Sequence, residues 1–297
     1  MRQKMGVLGP VGTHSEAAAR YLVEWQKLDR EIVCYGDIGA CLHAVETGAV
    51  DAAFVPVENS LEGAIAVTLD VLARSDVLRV QREVIWPVHN YLMARRADVE
   101  IRTIYSHAQP IAQCGDFLLR RYSQAELIKT ASTARAAEMV GALPVDAGAA
   151  AICTRRAGAL HGLVEIAGRI EDSGANCTRF FLVERAGKKP PALRFSNEPV
   201  PEKLLVICQI DGKRAGSLCE VLQEFAVRGV NMLRIESRPA RTELGAYIFF
   251  FELEADAVGL AASVEAVRQK SIWLRTLGAF PVLTAANLKG ASLWSSL

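Results

Sequence analysis

The feature that most restricts the fold is an alternation, over the first two-thirds of the chain, of short apolar runs with segments of helical period. Candidate strands fall at 5–8, 31–35, 52–55, 78–86, 103–105, 126–129, 163–167 and 178–183. Strands separated by helices are the pattern of an α/β sheet. Four of these strands run into polar turns: Gly9-Pro-Val-Gly-Thr13, Pro56-Val-Glu-Asn-Ser60, Ser106-His-Ala-Gln109 and Ala131-Ser-Thr-Ala134. Each puts Ser, Thr or Asn where a following helix needs an N-cap. One such turn reads as plain capping. Four, all past the carboxyl ends of strands, mark the crevice in which open α/β sheets hold ligands. Helix N-termini there present backbone N–H groups and the positive end of a dipole, which suits an anion.

A fifth segment sharpens this reading. The polar turn from Glu171 to Asn176 feeds a strand, 178–183, in which Thr178, Phe180 and Leu182 share one face and Arg179, Phe181 and Val183 the other. Arg179 is expected to add a full charge to the rim of the crevice, so the ligand is expected to be a small carboxylate. No Gly-x-Gly-x-x-Gly or Walker-type loop is present, which argues against a nucleotide. The run 78–93 would carry the chain to a second lobe and 169–183 would return it, leaving the cleft between lobes.

Composition narrows the partners. A net charge of +1 offers no field for nucleic acid or an acidic membrane surface. The seven cysteines include no Cys-x-x-Cys pair, which argues against a zinc site and against a disulfide framework. No apolar run nears the roughly 18 residues that span a bilayer, and no signal peptide precedes the first strand, so a cytoplasmic protein is expected. Residues 186–202, with four prolines and no periodicity, read as a linker. From 203 to 285 the order β-α-β-β-α-β is ferredoxin-like, and 286–297 read as a tail.

Taken together, Gly9-Pro-Val-Gly-Thr13, Pro56-Val-Glu-Asn-Ser60 with Glu62-Gly63, Ser132-Thr-Ala134, Asn176-Cys-Thr-Arg-Phe180, Asn231 and Ile235-Glu-Ser-Arg-Pro239 resemble the prephenate dehydratase family with a C-terminal ACT regulatory domain. Three departures stand out. Ser106-His-Ala-Gln-Pro110 replaces the family's Ser-His-Pro-Gln-Ala, Gly216-Ser-Leu-Cys219 replaces Gly-Ala-Leu-Val, and Glu252 stands where Asp is usual.

The resemblance implies a two-lobed catalytic domain of the type II periplasmic-binding-protein kind at 1–185, its second lobe at about 80–170, followed by the ACT domain. It implies a chain without a fused chorismate mutase that converts prephenate to phenylpyruvate, needing neither cofactor nor metal. Thr178 would be the catalytic hydroxyl. Substrate would be held by Thr13, Ser15, Asn59, Ser60, Ser106, Gln109, Ser132, Thr133, Asn176, Arg179 and Phe180. The effector L-phenylalanine would be held by Gly216, Ser217, Leu218, Asn231, Glu236, Ser237, Arg238 and Pro239, with the last four shaping a dimer-interface pocket in a homodimer or homotetramer. His14 reads as a helix-start residue and His107 as a loop-shaping one, while Glu58 reads equally as an orienter of Asn59 or a satisfied buried carboxylate. Two alternatives stay open: arogenate dehydratase, and a non-catalytic sensor of small carboxylates.

Overall fold

In the computed structural model, which describes residues 2–187 and 200–284, the strands fall into two sheets. The first sheet and the helices on it begin with β1 (Gln3–Leu8), α1 (His14–Trp25), β2 (Arg30–Tyr35), α2 (Ile38–Thr47), β3 (Ala52–Asn59), β4 (Gly63–Ala64) and α3 (Ala66–Arg74). Its central strands are buried on both faces, as parallel strands covered by helices must be. From there β5 (Leu78–Pro87) leads to a second sheet, made of β6 (Tyr91–Ala94), β7 (Thr103–Ser106), β8 (Glu126–Lys129), β9 (Ala149–Cys153) and β10 (Val164–Gly168). Between these strands lie α4 (Ala108–Gln113), α5 (Gly115–Arg121), α6 (Thr133–Ala142) and α7 (Arg155–Leu160). The chain comes back on β11 (Cys177–Arg185), which runs antiparallel to both β5 and β3.

The two crossings therefore lie side by side. β6 and β9 were not among the expected strands. The run Ala149-Ala-Ala-Ile-Cys153 favours helix by composition, yet it is buried along its whole length between β6 and β7, and tertiary burial decides. A second difference concerns the turn after β3. Asn59 and Ser60 cap no helix: β3 extends through Asn59, β4 pairs back on it, and α3 starts at Ala66 with no side-chain cap.

The last unit follows the expected order: β12 (Glu202–Gln209), α8 (Ser217–Ala226), β13 (Met232–Pro239), β14 (Tyr247–Glu254), α9 (Leu260–Gln269) and β15 (Trp273–Leu283). Most of the expected linker and all of the expected tail lie outside the described residues. β15 is longer than its sequence pattern suggested because it serves two neighbours. It pairs with β12 up to Pro281 and, at Val282 and Leu283, runs parallel to β5, joining this unit to the sheet of β1 and β3. Gly278 sits at the register shift, at φ +146°, and a Cβ there would lie 2.3 Å from the Val80 carbonyl oxygen. Gly278→Ala is expected to destabilise the fold by about 1–3 kcal/mol, read as a lower urea midpoint at unchanged slope.

The two faces of β11 pack into different cores. Phe180 and Leu182 join Met5, Val7 and Phe54, whereas Phe181 and Val183 join Val55, Val57 and Leu205. At the back of the cleft, Thr154 Oγ1 donates to the Gly12 carbonyl at 2.7 Å and Arg156 pairs with Glu16, tying α7 to the start of α1. Among the described residues no helix is long and apolar enough to cross a membrane.

Candidate active site

Thr178 lines a cleft between elements of the two sheets, at the start of β11. Its hydroxyl oxygen accepts a hydrogen bond from Asn59 Nδ2 at 3.1 Å. The same amide group donates to Asn176 Oδ1 at 2.9 Å, and Asn176 Nδ2 donates on to Gln113 Oε1 at 3.0 Å. Asn59 Oδ1 accepts the Leu61 and Glu62 backbone N–H groups, which fixes which end of the amide faces Thr178. A hydroxyl that accepts from Asn59 keeps its own proton to donate elsewhere. Aimed into the cleft, that proton is available to a ligand oxygen.

The cleft encloses about 330 Å³, a size suited to a small metabolite. Thr13, His14 and Ser15 at the start of α1 form one wall, and Ala131, Ser132 and Thr133 at the start of α6 form another. Both helices are properly capped: Thr13 accepts from Glu16 N and Ser132 from Arg135 N. The first-turn amides of both therefore open onto the cleft with their dipoles aligned. Gln109 adds a side-chain amide, and Phe180, stacked on Phe54 with centroids 4.8 Å apart, makes an apolar floor.

Four expected substrate contacts lie elsewhere. Ser60 clamps the approach to β11, donating to Ala175 O at 3.0 Å and accepting from Cys177 N at 2.9 Å. Ser106 is fully buried and donates to Ile152 O at 2.7 Å, so it ties β7 to β9 and leaves the capping of α4 to His107. Asn176 is buried behind Asn59 and acts through it. Arg179 is the largest correction. Period-two alternation sends it to the face of β11 opposite Thr178, where three carboxylates, Glu58, Glu83 and Glu252, surround its guanidinium. Glu58 is thereby a satisfied partly buried carboxylate, the second of its two expected roles.

Among the described residues the cleft lining contains no lysine, arginine, aspartate or glutamate. Of the polar residues outside the expected set that line it, two have side-chain atoms without a partner. Asn90 is completely buried, and neither atom of its amide has a hydrogen-bond partner. His14 likewise has a buried Nε2 without a partner. Neither belongs to a recognisable capping pattern, and only the position of β5 against α1 brings them together. The thiols are not candidates for nucleophiles: burial pushes Cys114 up to about 12 and raises Cys177 as well.

The expected effector residues divide into two groups. Gly216, at φ +83°, with Ser217 and Leu218, borders a cavity of about 320 Å³ at the start of α8. The others lie away from it. Asn231 donates to Glu254, Glu236 pairs with Arg234, and Arg238 pairs with Asp70 of α3, while Ser237 and Pro239 sit with them on β13 or its approach. Among the described residues β13 is one of the outer strands of the ten-stranded sheet.

Comparison with known proteins agrees with this geometry. The family model described as prephenate dehydratase matches residues 5–188, which include every residue lining the cleft. The chain belongs to the prephenate dehydratase family. With that membership it is a carbon–oxygen lyase. The prephenate dehydratase of Amycolatopsis methanolica is 35% identical over 93% of this chain and 88% of its own length. That of Lactococcus lactis is 32% identical over 96% of this chain and 100% of its own. Among solved structures, the Arthrobacter aurescens prephenate dehydratase in complex with L-Phe superposes with a TM-score of 0.78 at 33% identity, covering 93% of this chain and 89% of that one. The similarity to these prephenate dehydratases thus runs well past residue 188, into the last unit.

Proposed function

We propose that the cleft takes prephenate, eliminates its ring hydroxyl as water and its ring carboxylate as CO2, and releases phenylpyruvate. The observation that carries this is the Thr178 hydroxyl, held by Asn59 at 3.1 Å with its proton uncommitted, between two helix N-termini. A hydrogen bond to the departing oxygen lowers the cost of breaking the C–O bond. The amides of α1 and α6, with Ser15, Ser132 and Thr133, would hold the two carboxylates. Holding them by dipoles has a kinetic merit. A carboxylate paired with a guanidinium is stabilised in the ground state, and that stabilisation is forfeited as it leaves as neutral CO2. A lining without full cations avoids that loss.

Asn90 would satisfy its buried amide on a polar group of the substrate. Asn90→Leu is expected to raise KM about tenfold or more, in line with the cost of an unmet polar contact, with kcat changed much less. Formation of phenylpyruvate from prephenate, followed by its ultraviolet absorbance, tests the reading, and arogenate run beside it decides between the two dehydratases. Binding of prephenate without turnover would leave the sensor reading.

The two-lobed, binding-protein-like arrangement and the ACT identity of residues 203–285 are part of the same proposal, as is a cytoplasmic location. L-Phenylalanine is proposed to bind at the start of α8, where left-handed Gly216 lets backbone amides approach its carboxylate and Leu218 and Phe249 flank its ring. Residues Glu236–Pro239 would reach that ligand from a second copy, because Leu233 and Ile235 leave outer strand β13 with exposed apolar side chains. Phenylalanine is expected to raise the melting temperature and lower the initial rate, and light scattering should give a dimer or tetramer. No change in either quantity would remove the regulatory part.

A further inference from the structure

Behind the cleft lies a second cavity of about 30 Å³, and His14 forms part of the wall of both. The small cavity also takes in His89, at the end of β5, along with Trp86 and Tyr91. His89 Nδ1 meets Glu171 Oε1 at 2.7 Å, while the other oxygen of Glu171 accepts the Asn90 backbone N–H at 2.9 Å. The carboxylate thus fixes one nitrogen of His89 and leaves Nε2 as its remaining donor or acceptor. The cavity that both imidazoles line is about the size of a single water molecule.

The other charged groups around His14 are already engaged. Arg156 pairs with Glu16, and Arg155 pairs with Glu165 while lying 4.5 Å over the Tyr91 ring. On the cleft side His107 accepts the Gln109 backbone N–H through Nδ1. His14 alone among these groups touches both compartments and keeps a buried nitrogen without a partner.

We propose that His14 is the proton-transfer residue of the cleft, reloaded across the small cavity from the His89–Glu171 couple. The proposal rests on the prephenate reading and adds the source of the proton that reaction consumes. Prephenate dianion and one proton give phenylpyruvate monoanion, CO2 and water. The C–O bond breaks with its electron pair leaving on oxygen, which takes the proton. The bond to the ring carboxylate breaks with its pair entering the ring. Thr178 holds the leaving oxygen and His14 supplies the proton.

The electrostatics suit a carrier that loads when substrate is present. Burial first and the neighbouring His89 second hold His14 down at about 4, against the opposing pull of Glu171. In the empty cleft the ring is neutral. A dianion entering the same cavity raises its proton affinity, so the carrier is charged when there is something to protonate.

The experiment measures kcat and KM for prephenate over pH 5–9 in wild type, His14→Phe, His14→Asn and His89→Asn, with melting temperatures recorded for each. His14→Phe is expected to lower kcat about tenfold to thirtyfold, below the full range of acid catalysis, with KM within threefold. Its decline in kcat at high pH should be flattened, and added imidazole should restore part of the rate. His89→Asn should give a smaller loss with the same flattening. Folded His14 variants with the kcat and pH profile of wild type would overturn the proposal, and so would losses confined to KM. If wild type itself makes no phenylpyruvate, the prephenate reading fails and the proposal with it. Wild-type turnover beside unaltered His14 variants overturns the proposal alone.

Discussion

Thr178→Val is expected to lower kcat for prephenate by about a hundredfold to a thousandfold, the range found when one preorganised donor to a developing oxyanion is removed. The substitution keeps the shape of the side chain and deletes the one proton that the Asn59 bond leaves uncommitted. KM should move less than fivefold, because the carboxylates are held by helix ends that Thr178 does not support. A side effect is predictable. Asn59 Nδ2 loses an acceptor but keeps Asn176 Oδ1 and the Cys177 carbonyl, so stability should fall by about 1 kcal/mol or less. Thr178→Ser, which restores the hydroxyl, should lie within tenfold of wild type. Retention of more than a tenth of wild-type kcat by the valine variant would end the role assigned to this hydroxyl. Equal modest losses in turnover and affinity would favour a sensor.

Much of this site was legible because the information is local. A residue such as Thr13 or Ser132 announces a helix start by its own chemistry, and the structure places both as N-caps on the cleft wall. The side-chain period along 178–183 was also legible, and it already implied that Arg179 could not share a face with Thr178. Arg179 accordingly meets Glu58, Glu83 and Glu252 on the far face of β11 and not the cleft. Other features depend on distant pairing. Asn90 and His14 are 76 positions apart, and their meeting is set by how β5 lies against α1, which no local pattern encodes. The same holds for Ala149–Cys153, whose alanines become a strand through burial between β6 and β7. The length of β15 is a third case, since its last residues are strand because β5 lies beside them.

Arg179→Met is expected to destabilise the protein by about 3–5 kcal/mol, the usual cost of leaving buried ions without their partner. In wild type one guanidinium serves carboxylates from three elements. Glu58 of β3 lies 2.5 Å away, Glu83 of β5 is bound through two nitrogens at 2.9 Å, and Glu252 of β14 lies at 2.6 Å. Lys203 bridges Glu83 and Glu252 at 3.1 and 3.0 Å, and Arg234, itself paired with Glu236 at 3.0 Å, approaches Glu58 and Glu252. Burial alone would lower the proton affinity of Arg179, but Glu83 and Glu252 outweigh it and keep the group charged. With methionine in its place, Glu83 and Glu252 keep Lys203 as their nearest cation, and Glu58 keeps a single contact to Arg234 at 3.5 Å. Because the cluster fastens the last unit to the strand that carries Thr178, the variant should also lose most of its response to phenylalanine while kcat falls less than in Thr178→Val. The pH dependence has a definite sign. Burial pushes the Glu252 carboxyl up, and Arg179 with Lys203 more than reverses this, so its folded value lies below the ordinary one. Its contribution is therefore complete above the unfolded value, near 4.3, and is lost as pH falls through the depressed folded value. Methionine removes the share of that depression due to Arg179 and leaves the share due to Lys203, so the stability gap between wild type and variant should be widest at neutral pH and should narrow below about pH 4. Urea titrations of both proteins at pH 7 and pH 3.5 measure it, and a gap that is constant or wider in acid would show that the cluster does not carry the stability assigned to it.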